Sequence, residues 1–169
     1  TADGEDLLFD DLVAFLPEKL PVTLTGLAGF RLKVQGWEKP FFSGEINGAG
    51  ITLNRYYLGD GTLAFRWEEG YLHLDDLFLG STEMQLQGKG KIGADRELDL
   101  DVAVENFPLE ALPQLGGEYL KNQPILRKIA GKLSGHGKVR GSFAEPVFTG
   151  QLSITEPVIA GFALDRIAG

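Results

Sequence analysis

Glu97-Leu98-Asp99-Leu100-Asp101-Val102-Ala103-Val104-Glu105 decides the fold class. Leu98, Leu100, Val102 and Val104 alternate with Asp99, Asp101, Ala103 and Glu105, a period of two that belongs to a strand with one apolar and one solvated face. Antiparallel sheets show this habit, because one of their faces can remain in water. The same period runs upstream. Phe30, Leu32 and Val34 alternate with Arg31, Lys33 and Gln35; Leu63, Phe65 and Trp67 with Ala64, Arg66 and Glu68. Leu72 and Leu74 flank His73, and Met84 and Leu86 alternate with Glu83, Gln85 and Gln87. Phe42 and Ile46 are expected on the same apolar face. Gly59-Asp60-Gly61, Glu68-Glu69-Gly70 and Gly93-Ala94-Asp95 read as turns between runs. Residues 21–105 therefore read as an antiparallel β-meander.

Two stretches depart from this period. In residues 1–20, Leu7, Leu8, Leu12, Phe15 and Leu16 fall at helical spacing, with Asp6, Asp10 and Asp11 mostly opposite, which predicts an amphipathic helix ending at Pro17. Residues 106–131 read as a helical link, opened by Pro108 and broken by Pro113, Gly116-Gly117 and Pro124. Strand character returns over 132–169 as the start of a second β repeat. Leu27-Ala28-Gly29 matches Leu133-Ser134-Gly135, and Pro40-Phe41-Phe42-Ser43-Gly44 matches Pro146-Val147-Phe148-Thr149-Gly150. Ile46 matches Leu152, Leu53 matches Ile159 and Leu58 matches Leu164, all at an offset of 106 residues; the Gly36 and Gly141 pair slips by one. The whole reads as one structural domain. The chain begins Thr1-Ala2-Asp3 and stops inside a strand-like pattern at Ile167-Ala168-Gly169, so it reads as a piece of a longer protein.

Composition narrows the chemistry. The 169 residues are 43% hydrophobic and 24% charged, ordinary for a globular chain. A net charge of -8, from 16 basic and 24 acidic residues, offers phosphates no basic patch and argues against a nucleic-acid partner. Cysteine is absent, which excludes disulfides, thiolate metal sites and a cysteine nucleophile. His73 and His136 lie in different segments, at outward or glycine-flanked positions that suit surface residues better than a catalytic pair. Asp60 and Asp75-Asp76 supply carboxylates for a hard cation, yet their spacing matches no EF-hand or repeat motif. Gly88-Lys89-Gly90-Lys91 lacks the spacing and following helix of a phosphate loop. Nothing in these patterns leads one to expect an enzyme, a metal or a cofactor.

What remains is the apolar face. About ten or eleven strands at roughly 4.8 Å each make a sheet on the order of 50 Å wide, and its Leu, Val and Phe cannot stay in water. Such a sheet folds into a sandwich, closes as a barrel, or curls into a trough that holds an apolar guest. Glycines inside the strand patterns, such as Gly44, Gly88, Gly90, Gly137 and Gly150, favour strong curvature. The residues expected on the trough floor are Phe30, Leu32, Val34, Phe42, Ile46, Leu63, Phe65, Trp67, Leu72, Leu74, Met84, Leu86, Leu98, Leu100, Val102 and Val104, with Leu7, Leu8, Leu12, Phe15 and Leu16 as a plug. The competing class is a sandwich or solenoid module of the cell envelope that binds protein or sugar, using aromatics such as Trp37, Tyr56 and Tyr57.

Leu133-Ser134-Gly135, the short strand to Val139-Arg140-Gly141, and Pro146-Val147-Phe148-Thr149-Gly150-Gln151-Leu152 together resemble the recurrent signature of the TamB and AsmA-like family. Asn106-Phe107-Pro108-Leu109-Glu110-Ala111-Leu112 is similar to the helical link of that family, and Leu63 to Lys91 to its hairpins. The resemblance implies a curled antiparallel β-sheet, a taco-like groove with a hydrophobic interior and one or two short amphipathic helices. It implies phospholipid or acyl-chain cargo, transport between inner and outer membranes, and support of outer-membrane assembly. It implies a periplasmic or equivalent plastid or cyanobacterial envelope location, a parent protein anchored in the inner membrane, and an outer-membrane β-barrel partner bound through another part of that parent. No catalytic residues follow from it.

Overall fold

The computed structural model describes residues 2–8, 23–35, 41–54, 56–112, 129–142, 145–159, 162–163 and 166–168. Their strands are β1 Ala2–Leu8, β2 Leu24–Gln35, β3 Phe41–Leu53, β4 Tyr56–Glu68, β5 Tyr71–Gly80, β6 Gln85–Gly93, β7 Glu97–Pro108, β8 Ile129–Ser142, β9 Pro146–Ile159, β10 Phe162–Ala163 and β11 Arg166–Ala168. All belong to one sheet in chain order, each antiparallel to its neighbour, with β10 and β11 both pairing β9. Between β4 and β5, Glu69 and Gly70 both take positive φ (52° and 83°), the two-residue turn whose twist suits a hairpin.

The chain is mainly β and its sheet is open. Among the described residues every strand belongs to this one sheet. One end is curled shut over a small core. Ile51 of β3, Leu58 of β4 and Met84, just before β6, are buried together, and Leu24, Leu53, Tyr56, Leu79 and Phe107 pack against them. Leu24 lies on β2 and Phe107 on β7. Five strand spacings, about 24 Å on a flat sheet, separate those strands, so side chains from both reach one cluster only where the sheet bends.

Three expectations are corrected. Residues 2–8 are not helical: they form β1, whose register on β2 runs from Ala2 opposite Leu32 to Leu8 opposite Leu27. The open edge of β2 offers the backbone a ladder, and that tertiary partner overrides a helical period carried by few residues. Leu8 is more than half exposed, while Leu12, Phe15 and Leu16 lie outside the described residues. In the expected 106–131 link, β7 runs on to Pro108, one 3-10 turn covers Leu109–Ala111, and β8 begins at Ile129; 113–128 lie outside the described residues. Gly59-Asp60-Gly61 is no turn between strands. It lies inside β4 at an irregularity in the pairing with β3, where Gly59 (φ 101°) passes so close to the Gly80 carbonyl that a Cβ would collide with it.

Candidate functional site

Directly opposed residues of an antiparallel ladder point to the same face, so the register shows which side chains share a surface. One row runs through eight strands, from β2 to β9: Leu32, Gly44, Phe65, Leu74, Gly90, Leu100, Val139 and Phe148. Beside it run Phe30, Ile46, Leu63, Leu77, Gly88, Val102, Gly137 and Gly150. A third row is Val34, Phe42, Trp67, Leu72, Ile92, Leu98, Gly141 and Pro146. The fourth is Ala28, Gly48, Gly61, Leu79, Leu86, Val104, Gly135 and Leu152. No charged residue interrupts any of them.

Every residue expected on the trough floor lies in these rows except Met84, which sits in the closing core. Leu77, Leu79, Ile92, Val139, Phe148 and Leu152 join them and were not among the residues expected on the floor. Two signals pointed to some of these. Asp75 is an extra residue between Leu74 and Asp76, which keeps Leu74 and Leu77 on one face despite their odd spacing. Phe148 and Leu152 are the repeat partners of Phe42 and Ile46.

Glycines interrupt the large residues, and neighbouring large side chains lean over the gaps. A Cβ on Gly44 would stand 2.7 Å from Leu32 Cδ2 and 2.9 Å from Phe65 Cζ. A Cβ on Gly137 or Gly150 would stand 2.7 or 2.8 Å from Phe148 Cζ, so one phenyl ring lies across both positions. The face is smooth and largely unburied. Of the expected floor residues only Met84 and Leu98 are buried; Val34, Phe42 and Trp67 are exposed and the rest half-buried. Near the far edge, Leu133, Phe148, Gly150, Leu152, Ile154 and their neighbours surround an open depression of about 510 Å³.

The other face is polar and knitted by cross-strand ion pairs. Lys138 Nζ lies 2.7 Å from Asp101, Arg140 Nε 3.2 Å from Asp99, and Arg66 Nε 3.0 Å from Asp75. The Lys138 hydrogen bond holds the Asp101 carboxyl below its usual range, with the attraction of Lys138, Lys89 and Arg140 adding to it. His73 stands opposite Arg66 and His136 opposite Ala103, on this same face but three strands apart. Asp60 accepts a hydrogen bond from the Gly50 amide at 2.9 Å. Among the described residues no three His, Asp or Glu side chains gather to hold a metal, and no helix is long and apolar enough to cross a membrane. Of the aromatics considered for surface recognition, Tyr57 is exposed, Tyr56 packs on the closing core and Trp37 lies outside the described residues.

Compared with known proteins, the chain matches no family profile, no curated protein and no solved structure.

Proposed function

We propose that the chain is a segment of an envelope-spanning TamB/AsmA-like protein whose apolar sheet face shields lipid acyl chains during phospholipid transport between inner and outer membranes, in support of outer-membrane assembly. One observation carries the reading: four parallel rows of apolar residues and glycine cross eight strands with no charge among them. Burial of an acyl chain on such a face is worth about 0.8 kcal/mol per CH₂ and discriminates little between head groups. Rows of similar composition along the sheet give a chain of weak, nearly equal sites. Cargo can move along such a path instead of stopping on it. The Leu-Ser-Gly and Pro-x-x-x-Gly motifs that resemble the family add the periplasmic setting, the inner-membrane anchor of the parent protein and its outer-membrane barrel partner.

Native mass spectrometry of the purified chain, expressed without detergent, tests the reading. Adducts with phospholipid or fatty-acid masses that vanish in Leu100→Asp are the expected result. A folded chain free of lipid, which also takes up none from phospholipid vesicles, overturns it.

A further inference from the structure

The polar face of the sheet is charged except along one row. The row through Arg66, His73, Lys91, Asp99 and Arg140 is charged. So is the next, which holds Arg31 and Glu45 on β2 and β3 and Lys89, Asp101 and Lys138 on β6 to β8. Further toward the closed end, Asp60 and Glu105 share a row with Gly80 and Gln85. Between them, from β3 to β8, run Asn47, Thr62, Phe78, Gln87, Ala103 and His136, each opposite the next. This row holds no carboxylate, lysine or arginine.

Asn47, Thr62, Gln87 and His136 are exposed, and among the described residues their side chains form no hydrogen bond or ion pair. One row away, Asp101 and Lys138 hold each other at 2.7 Å. Amide, hydroxyl and imidazole groups therefore stand in line across the sheet with their donors and acceptors left to solvent. Phe78 lies low within the line. Its Cζ is 3.0 Å from where a Cβ on Gly80 would stand, so the ring rests over a residue with no side chain. Two strands on, Ala103 is short between Gln87 and His136, and the face there carries a depression of about 780 Å³ bordered by Thr149, Asp101 and Lys138.

We infer that this row is a binding site for an uncharged glycan, a flat β-linked pyranose chain laid across the strands. The row offers no lysine or arginine to a phosphate or carboxylate ligand, and no continuous apolar surface to an acyl chain. Each of its strands already has a neighbour on both sides, so a peptide finds no ladder to join. What it offers is one aromatic ring and a series of neutral donors and acceptors. A pyranose has both complements, an apolar face of C–H groups and a rim of hydroxyls. The repeat of a β-linked chain is also close to the strand spacing of about 4.8 Å, so successive sugars meet successive strands. One sugar stacks on Phe78, the hydroxyls of the next bond Gln87, and a third fills the gap over Ala103 and reaches His136. The site is on the face opposite the apolar rows, so the inference holds whether or not those rows carry lipid.

Cellotetraose, a neutral β-linked tetrasaccharide, is the probe, titrated into the whole chain while side-chain NMR signals are followed. Saturable shifts are expected at the Gln87 amide, the Ala103 methyl and the Phe78 ring, with the Leu100 and Val102 methyls of the apolar face unmoved. Phe78→Ala should weaken binding at least tenfold. Gln87→Ala, at an exposed position that the fold does not need, should weaken it at least threefold. Maltotetraose, whose α-linkages coil the chain, should bind at least tenfold more weakly than cellotetraose. The absence of saturable shifts up to the solubility limit of cellotetraose overturns the site, as does binding that neither variant weakens. Shifts confined to the apolar methyls overturn it too. Equal binding of maltotetraose overturns the flat chain, and tighter binding of an oligogalacturonate overturns the uncharged ligand.

Discussion

Gly26 and Gly131 hold the same place in two copies of one strand pair. Each is the single residue facing the two-residue side of a bulge, Gly50-Ile51 for the first and Glu156-Pro157 for the second; their φ are 135° and 130°, and each has a carbonyl oxygen 2.9 Å from where its Cβ would be, Ala49 for the first and Thr155 for the second. Neither the backbone angle nor the space admits a side chain. Gly131→Ala should destabilise the fold by roughly 2 kcal/mol, the scale of a strained non-glycine residue, lowering Tm by about 4–8 °C for a chain of this size. Gly29→Ala is the control, since its Cβ would meet only the Gly4 carbonyl at 3.7 Å; thermal unfolding of that variant should show little change or a small gain.

On the polar face, the folded pKa of Asp101 is depressed by the Lys138 hydrogen bond. A depressed carboxylate contributes stability that is present above its unfolded pKa and is lost as pH falls through the folded value. The window therefore lies in acid, below the ordinary 3.8. Lys138→Met should return the Asp101 titration toward 3.8 in a carboxyl-carbon NMR experiment. The urea midpoint at pH 7 should scarcely move, because both partners are close to half exposed and such pairs contribute little.

The sheet was legible because its information lies in a period of two. Leu98, Leu100, Val102 and Val104 must share a face wherever β7 is placed, and the register adds only which neighbours stand beside them. Irregularities were harder to read. Gly59-Asp60-Gly61 has the composition of a turn, and the passage of Gly80 over Gly59, which makes it an interior bend of β4, is a contact that no local pattern contains. Leu7 and Leu8 satisfy a helical period and also sit in a strand, and the free edge of β2 decides between the two. Residue identities align the repeat at an offset of 106, which sets exposed Leu27 against Leu133 on the apolar side. In register, β2 maps onto β8 at 105 and β3 onto β9 at 106. The Gly36 and Gly141 spacing, a slip by identity, is thus the true spacing of the first strand. Matching residue identities pulls the alignment one place off its facing.

If acyl chains lie along the third row, they lie against Trp67, which is 37% exposed. With Trp37→Phe removing the other tryptophan, a fatty acid brominated along its chain should quench most of the remaining fluorescence, saturably. Leu100→Asp, in the adjacent row, should abolish quenching while the far-ultraviolet dichroism of the sheet is kept. The introduced carboxylate would face an open surface and keep its water, so the variant should fold. A variant that unfolds would mean that Leu100 belongs to a closed core.

Tyr56 reports on the curl of the sheet. It opens β4, yet the charge of Glu110, which follows β7, reaches it. On a flat sheet three strand spacings, about 14 Å, would lie between β4 and β7. Burial raises the Tyr56 phenol above its usual 10.0, and the carboxylates of Glu110 and Glu83 raise it further. A raised phenol favours the neutral form in the fold, so its stabilisation is complete below the ordinary 10.0 and is lost as pH rises through the folded value. Phenolate absorbance should show a late-titrating phase, and Tyr56→Phe should remove it. Glu110→Gln should bring it partway back toward 10.0 and no further, because burial, the larger cause, persists. A late phase unmoved by Glu110→Gln would place the end of β7 away from β4 and leave the sheet flat at the end where its core now closes.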